Sequence, residues 1–217
     1  MFALSYVELH AHSAFSFLDG ASSPDELVLA ALERGHHALA LTDHNSLSGA
    51  MEFAQAAKAH GLRALHGAEV DVVDAAGEAA GAPSRHLTAP SRHLTLLVRD
   101  AAGWRSLCRL LTRAHADTRR PGRPGWVGQP SVTLDEVVEH AEGLVCLSGC
   151  ADRGVRDEPT MRRLLDAFGP DGFRVELQRP FGRHDRARNR GLAALARRLG
   201  VPCVATGNVH AHSRERA

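Results

Sequence analysis

The distribution of apolar and polar positions divides the chain into short apolar runs separated by amphipathic stretches. In residues 6–12, Val7, Leu9 and Ala11 fall on one face of an extended segment, and Glu8, His10 and His12 fall on the other. Ser23-Pro24-Asp25-Glu26 opens a helix: the serine caps, the proline suits the first turn, and Glu26 completes a capping box. Leu27, Ala30, Ala31 and Arg34 continue at helical spacing until Gly35 stops the run. A strand over 38–42 ends in Asp43-His44-Asn45. A second helix runs from about Leu47 to His60, and a third strand over about 62–73 carries Gly67-Ala68-Glu69.

Residues 74–92, rich in Ala, Gly, Pro and Ser, read as a loop. The loop begins a small duplication, Ser84-Arg85-His86-Leu87-Thr88 and then Ser91-Arg92-His93-Leu94-Thr95. His93 leads into the apolar strand Leu94-Thr95-Leu96-Leu97-Val98, whereas His86 leads into Ala89-Pro90, so His93 holds the structural position. A helix over 101–115 follows, with Trp104, Leu107, Cys108, Leu111 and Ala114 on one face. Residues 117–130 form a solvated basic loop, and Thr133 with Glu136 caps a helix reaching His140. The remainder predicts a strand over 143–150, a helix over 158–168, a strand over 173–177 and a helix over 186–199. The last strand ends in Asn208-Val209-His210.

Strand and helix in alternation favour an α/β fold with parallel strands under covering helices. A doubly wound open sheet and a closed barrel both fit. The polar residues favour the barrel, because they gather at the C-terminal ends of strands, where barrel active sites are built. In chain order they are His10, His12, Asp19, His44, Glu69, His93, Cys150, Asn208 and His210. Imidazole, carboxylate and thiolate bind zinc, and the first two also suit manganese or iron. Asn208 and His210 repeat the spacing of His10 and His12, and barrel closure would set the two pairs side by side. Taken singly, His44 also fits a turn, Asp43 a helix cap, Asp19 a turn before Gly20, and Cys150 a small buried thiol.

Composition narrows the function classes. The 217 residues suffice for one domain spanning 1–217, and a net charge of +1 leaves no strong footprint for nucleic acid or a membrane surface. Four scattered cysteines fit a reduced, cytoplasmic setting, and no signal peptide or membrane span is readable. Of fourteen histidines, His36, His37, His60, His115, His140 and His184 lack a partner at useful spacing and read as bystanders.

His10-Ala11-His12, Asp19-Gly20, Thr42-Asp43-His44, Gly67-Ala68-Glu69, His93 and Asn208-Val209-His210 together resemble the motifs of the polymerase and histidinol phosphatase (PHP) family. More narrowly, residues 8–21, 93–98, 147–150 and 205–210 resemble the N-terminal PHP domain of bacterial DNA polymerase III alpha subunits. Residues 107–115 resemble their error-prone type. The resemblance implies a distorted seven-stranded, TIM-like β/α barrel with up to three divalent cations (Zn, Mn or Fe) at the strand ends. It implies a first cation on His10, His12, Glu69 and Asn208, a second bridged by Glu69 to His93 and Cys150, and a third on Asp19, His44 and His210. His10, His12, Glu69 and His210 carry the catalysis in this scheme. The implied activity is phosphoester hydrolysis in DNA replication or repair, as a 3′–5′ exonuclease on DNA ends. The alternative is a catalytically weak domain that stabilises a polymerase. The family commonly has aspartate where this chain has Asn208, a weaker, neutral ligand. The polymerase domains themselves are absent from these 217 residues, so they stand as expected partners.

Overall fold

Ser23 caps the first helix, α1 (Pro24–Glu33), by the predicted capping box: its hydroxyl accepts from the Glu26 amide while the Glu26 carboxylate accepts from the Ser23 amide. The same device starts α4 (Leu134–Glu139), with Thr133 and Glu136 in the two roles. The structure, a computed structural model, describes residues 6–73, 91–116, 118–119 and 128–216. His86 and most of the basic loop lie outside the described residues.

Between the capped helices, β1 (Ala38–Leu41) leads to α2 (Ala50–His60), β2 (Arg63–Val73), β3 (Arg92–Val98), α3 (Ala101–His115) and β4 (Val132–Thr133). After α4 come β5 (Leu144–Leu147), α5 (Glu158–Phe168), β6 (Phe173–Gln178), α6 (Asp185–Leu199) and β7 (Cys203–Thr206). The sheet runs β1-β2-β3-β5-β6-β7, with β4 added beside the end of β2. It is an α/β fold, a curled sheet of mostly parallel strands alternating with helices.

The segment 8–12 makes isolated bridges instead of a continuous strand, one to each end of that sheet: Glu8 to Leu39 and Ala11 to Val209. Backbone bonds on both sides, Ala40 N to Glu8 O (2.9 Å) and His12 N to Val209 O (2.8 Å), make it the piece that joins the last strand to the first. Glu8 locks this seam. Its buried carboxylate accepts from the His10 amide at 2.9 Å and from the Gly207 amide at 2.7 Å, so close that a Cβ on Gly207 would lie 2.5 Å from Glu8 Oε2.

Several expectations shift. β3 runs antiparallel to both β2 and β5, the exception to the expected parallel strands. His93 therefore sits at the N-terminal end of its strand, yet on the same rim as the C-terminal ends of its antiparallel neighbours β2 and β5. The second helix begins at Ala50, because residues 45–49 first make a turn with Asn45 in the left-handed region (φ 49°). Asp43 does not cap that helix; it accepts from the amide and hydroxyl of Ser13 and the hydroxyl of Ser16 and fixes the loop that carries Asp19. On α3 the buried stripe is Gly103, Leu107, Leu110, Leu111 and Ala114, whereas Trp104 is partly exposed.

The main core packs β2, β3, β5 and β6 against α3, α5 and α6 through residues such as Leu94, Leu96, Leu107, Met161, Leu164 and Phe173. A second cluster around Phe53, Leu27, Val28 and Leu41 seats α1 and α2 on β1. Each such side chain removed from water contributes about 1.5–3 kcal/mol. This apolar shell holds the sheet's rim still and leaves its polar residues to face one another.

Candidate metal centre

Glu69 is the hub. It leaves β2 near the middle of the strand, is 3% exposed, and has three imidazoles within 3.3 Å of one carboxylate, with His12 Nε2 at 3.9 Å. His10 Nε2 is 3.3 Å and His93 Nδ1 3.1 Å from Oε1, and His44 Nδ1 is 2.8 Å from Oε2. His12 stands beside His10, with their Nε2 atoms 3.1 Å apart, and stacks on His210 with ring centroids 4.8 Å apart. Asp19 closes the far side, 2.9 Å from His12 Nδ1 and 3.0 Å from His210 Nδ1.

Three groups of side chains among the described residues could each hold a cation: His10, His12 and Glu69; His12, Asp19 and His210; and His44, Glu69 and His93. In these groupings His44 falls with Glu69 and His93, whereas the resemblance implies a place with Asp19 and His210, residues that line the same cleft. Cys150 Sγ is 3.4 Å from His93 Nδ1, brought there by Gly149. Gly149 adopts φ 92°, and a Cβ on it would lie 1.9 Å from the His93 carbonyl oxygen. Asn208, at φ 52°, lines the same cleft of about 400 Å³ as Asp19, His44, Glu69 and His93.

The donor set fits divalent cations. Glu69 Oε1, Asp71 Oδ1 and Asn208 Oδ1 are buried and accept no hydrogen bond, although imidazole nitrogens stand 3.1–3.3 Å from the first and 3.1 Å from the second. Buried acceptors without donors are costly in water-excluding surroundings. Lone pairs that converge without bonding one another are what a cation satisfies.

Charge perturbs the site in a consistent sense. Burial pulls His10 down, but Glu176 and then Glu69 outweigh it and hold its pKa well above the ordinary imidazole value. Burial likewise opposes protonation of His44 and His93, yet Asp71 and Glu69 raise them to about 9 and about 12, with Cys150 adding to the rise at His93. His12 is lowered by burial, and His210 is raised by Asp19. Burial works against ionised Glu69, Asp71 and Asp19, but their imidazole neighbours hold all three carboxyls below the usual range.

The sequence pattern left several supporting residues unmarked. Glu176 Oε1 is 2.7 Å from His10 Nδ1 and accepts from Gln178 Nε2 and the Thr206 hydroxyl. Such an outer carboxylate fixes which ring nitrogen turns inward. Parity was the available signal: in Phe173-Arg174-Val175-Glu176-Leu177-Gln178 the polar residues share one face of β6, and an inward polar face is unusual in a packed barrel. Asp71, in step with Glu69 on β2, carried the same signal. His115, read as a bystander, lies with Nε2 2.8 Å from the Asn45 carbonyl and braces the turn below His44.

A family model described as a PHP domain matches residues 8–180. The chain is 40% identical over 220 residues to an error-prone DNA polymerase of Mycolicibacterium paratuberculosis, covering 96% of this chain and 19% of that protein. It is 36% identical over 231 residues to an error-prone DNA polymerase of Symbiobacterium thermophilum, covering 98% and 20%. The chain thus spans about a fifth of the length of these relatives. Among solved structures, it is similar to a Bifidobacterium adolescentis protein described as a metal-dependent phosphoesterase, with a TM-score of 0.60 and 20% identity over 99% of this chain and 91% of that one. An amidohydrolase from Chromobacterium violaceum gives a TM-score of 0.59 at 23% identity, over 97% and 89%. At these identities the structural likeness establishes the fold.

Proposed function

The chain belongs to the PHP domain family, and from that premise we propose that residues 1–217 form one metal-dependent phosphoesterase domain that trims the 3′ ends of DNA beside a polymerase of the error-prone type. The observation that carries the reading is Glu69, a buried carboxylate ringed by His10, His44 and His93 with an acceptor atom left unsatisfied. Up to three divalent cations, zinc, manganese or iron, would be held by His10, His12 and Glu69 with Asn208, by Glu69 and His93 with His44 or Cys150, and by Asp19 and His210 with His12. Bound cations supply Lewis-acid polarisation of the phosphoryl oxygens and an activated water for in-line displacement. The chain's own part is to hold the nitrogens and carboxylates still. Glu176 orients His10, Asp43 fixes the loop bearing Asp19, and Glu8 fixes the turn before Asn208. Among the described residues no helix is long and apolar enough to cross a membrane. The polymerase relatives support a cytoplasmic place in DNA replication or repair.

The test is hydrolysis by the stripped and reloaded protein. With Mn²⁺ or Zn²⁺, 5′-labelled single-stranded DNA should shorten from its 3′ end, and a nitrophenyl phosphoester should be cleaved. His12→Ala should lower both rates by about 10²-fold or more, since even an outer residue supporting a ligand is worth 10–100-fold. Activity that survives this change, or never appears with any metal, ends the enzymatic reading.

Asn208 favours a second reading, in which cations hold the domain together and hydrolysis is weak. Its amide is neutral, so the first group lacks one negative charge. Asn208→Asp keeps a residue that tolerates φ 52° and restores that charge. It should tighten first-site binding by about tenfold, or 1.4 kcal/mol, measured by calorimetric titration with Zn²⁺. A gain in hydrolysis alongside would show that the asparagine had been limiting the reaction.

A further inference from the structure

Asp71 belongs to none of the expected ligand sets, yet it is 4% exposed and faces the centre. It stands on β2 two residues beyond Glu69, so both carboxylates leave the same face of the strand, with their Cα atoms roughly 7 Å apart. That gap takes one imidazole ring. His44 fills it, with Nδ1 2.8 Å from Glu69 Oε2 and Nε2 2.8 Å from Asp71 Oδ2. His93 is the residue paired directly with Asp71 across the β2–β3 ladder, and its ring closely approaches the same two carboxylates, without the hydrogen bond to Asp71 that His44 makes. Its Nδ1 is 3.1 Å from Glu69 Oε1 and its Nε2 3.1 Å from Asp71 Oδ1.

Asp71 is itself clamped by Asn45. Its Oδ2 accepts from Asn45 Nδ2 at 2.9 Å, and its backbone amide donates to Asn45 Oδ1 at 3.0 Å. Asn45 is held in turn by its own amide, which donates to the Glu69 carbonyl at 2.7 Å. A left-handed backbone, a buried amide and a buried carboxylate are thus spent on a group that the expected cation sets do not use. An isolated buried carboxylate is expensive, and here both of its oxygens face imidazole nitrogens.

We propose that Asp71 is a positioning residue, which holds Nε2 of both His44 and His93 so that Nδ1 of each is presented to Glu69 and to the cations bound there. The proposal rests on the metal-dependent reading of the site. A neutral imidazole that donates Nε2–H to a carboxylate keeps its lone pair on Nδ1 and becomes a more basic ligand. His10 uses the same device with the nitrogens exchanged: Glu176 takes Nδ1 and Nε2 turns inward. One outer carboxylate on β6 and one on β2 therefore set the ring orientation of three of the histidines in the cation groups.

The experiment combines ring-nitrogen NMR of the zinc-loaded chain with zinc titration of Asp71→Asn, which keeps the shape and removes the charge. In the wild type, His44 and His93 should carry the proton on Nε2 and zinc on Nδ1. In the variant, zinc affinity should fall by about 10–100-fold, the cost of losing an outer-shell partner, with the number of ions bound at saturation unchanged. Zinc on Nε2, or an unchanged affinity, overturns the proposal. So does the loss of one zinc equivalent at saturation, which would make Asp71 a ligand. Should Asp71→Asn fail to fold, Asn45→Ala decides: it loosens the clamp without touching either imidazole and should lower affinity by a smaller factor, and no change refutes the role. A wild type that takes up no zinc refutes the metal-dependent reading itself, an outcome distinct from an unaffected variant.

Discussion

Glu69→Gln is expected to lower phosphoester hydrolysis by about 10³-fold or more, because the change strips charge from the residue that two of the three cation groups share. The amide keeps the volume of the carboxylate. It also brings an NH₂ group to within reach of imidazole nitrogens that now face a carboxylate oxygen at 2.8–3.3 Å, and it offers only one oxygen for cations. Metal analysis of the purified variant should show the groups built on His10–His12 and on His44–His93 depleted. The group of His12, Asp19 and His210, which lacks Glu69, should be retained. Rate and metal content are thus read together. Full metal content with lost hydrolysis would mean that Glu69 acts on the reaction without holding the ions.

Metal removal should change stability in a pH-dependent way. At 100-fold excess over its dissociation constant a single bound cation stabilises the folded chain by about 2.7 kcal/mol, roughly 5–10 °C in Tm for a chain of this size. In the metal-free chain His44 and His93 are raised to about 9 and about 12. A raised imidazole contributes stability that is fully present below its unfolded value of about 6.5 and is lost as pH climbs through the folded value. The depressed carboxyls of Glu69, Asp71 and Asp19 contribute in the opposite sense: their share is present above the unfolded carboxylate values and is lost in acid. Between pH 6 and 8.5 the metal-free chain therefore begins to lose the imidazolium contribution, while cation binding, which must displace those protons, grows stronger. The gap between the loaded and chelated melting temperatures should widen across that range, as followed by circular dichroism. A gap that is constant or narrows with pH would mean that the imidazoles are not displaced by the cation. If chelator alters Tm but no hydrolysis is found with any metal, the stabilising role is the one that holds.

Much of the architecture was legible from pattern. Ser23 with Glu26 and Thr133 with Glu136 marked helix starts, because capping is local chemistry between residues three apart. The alternation of helices and strands gave the α/β class. The pairing of residues 8–12 with the end of the chain was likewise anticipated, although it is made of bridges and not of a regular strand. The direction of β3 was not legible. A crossover and a hairpin joined by a long loop leave the same apolar run behind, and only pairing across space distinguishes them.

The chemistry divides along the same line. By itself the sequence determined which residue types stand at the rim, that His10 and His12 share a face, and that Asn208 departs from the family's aspartate. Periodicity and composition suffice for the first two, and the resemblance to the family supplies the third. Only the tertiary structure decided that His44 bonds Glu69 and Asp71, and that Asp71 and Glu176 stand behind the histidines. Ring orientation depends on partners 25–166 residues away in the chain, and a one-dimensional pattern carries no information about which nitrogen of an imidazole such a partner will hold.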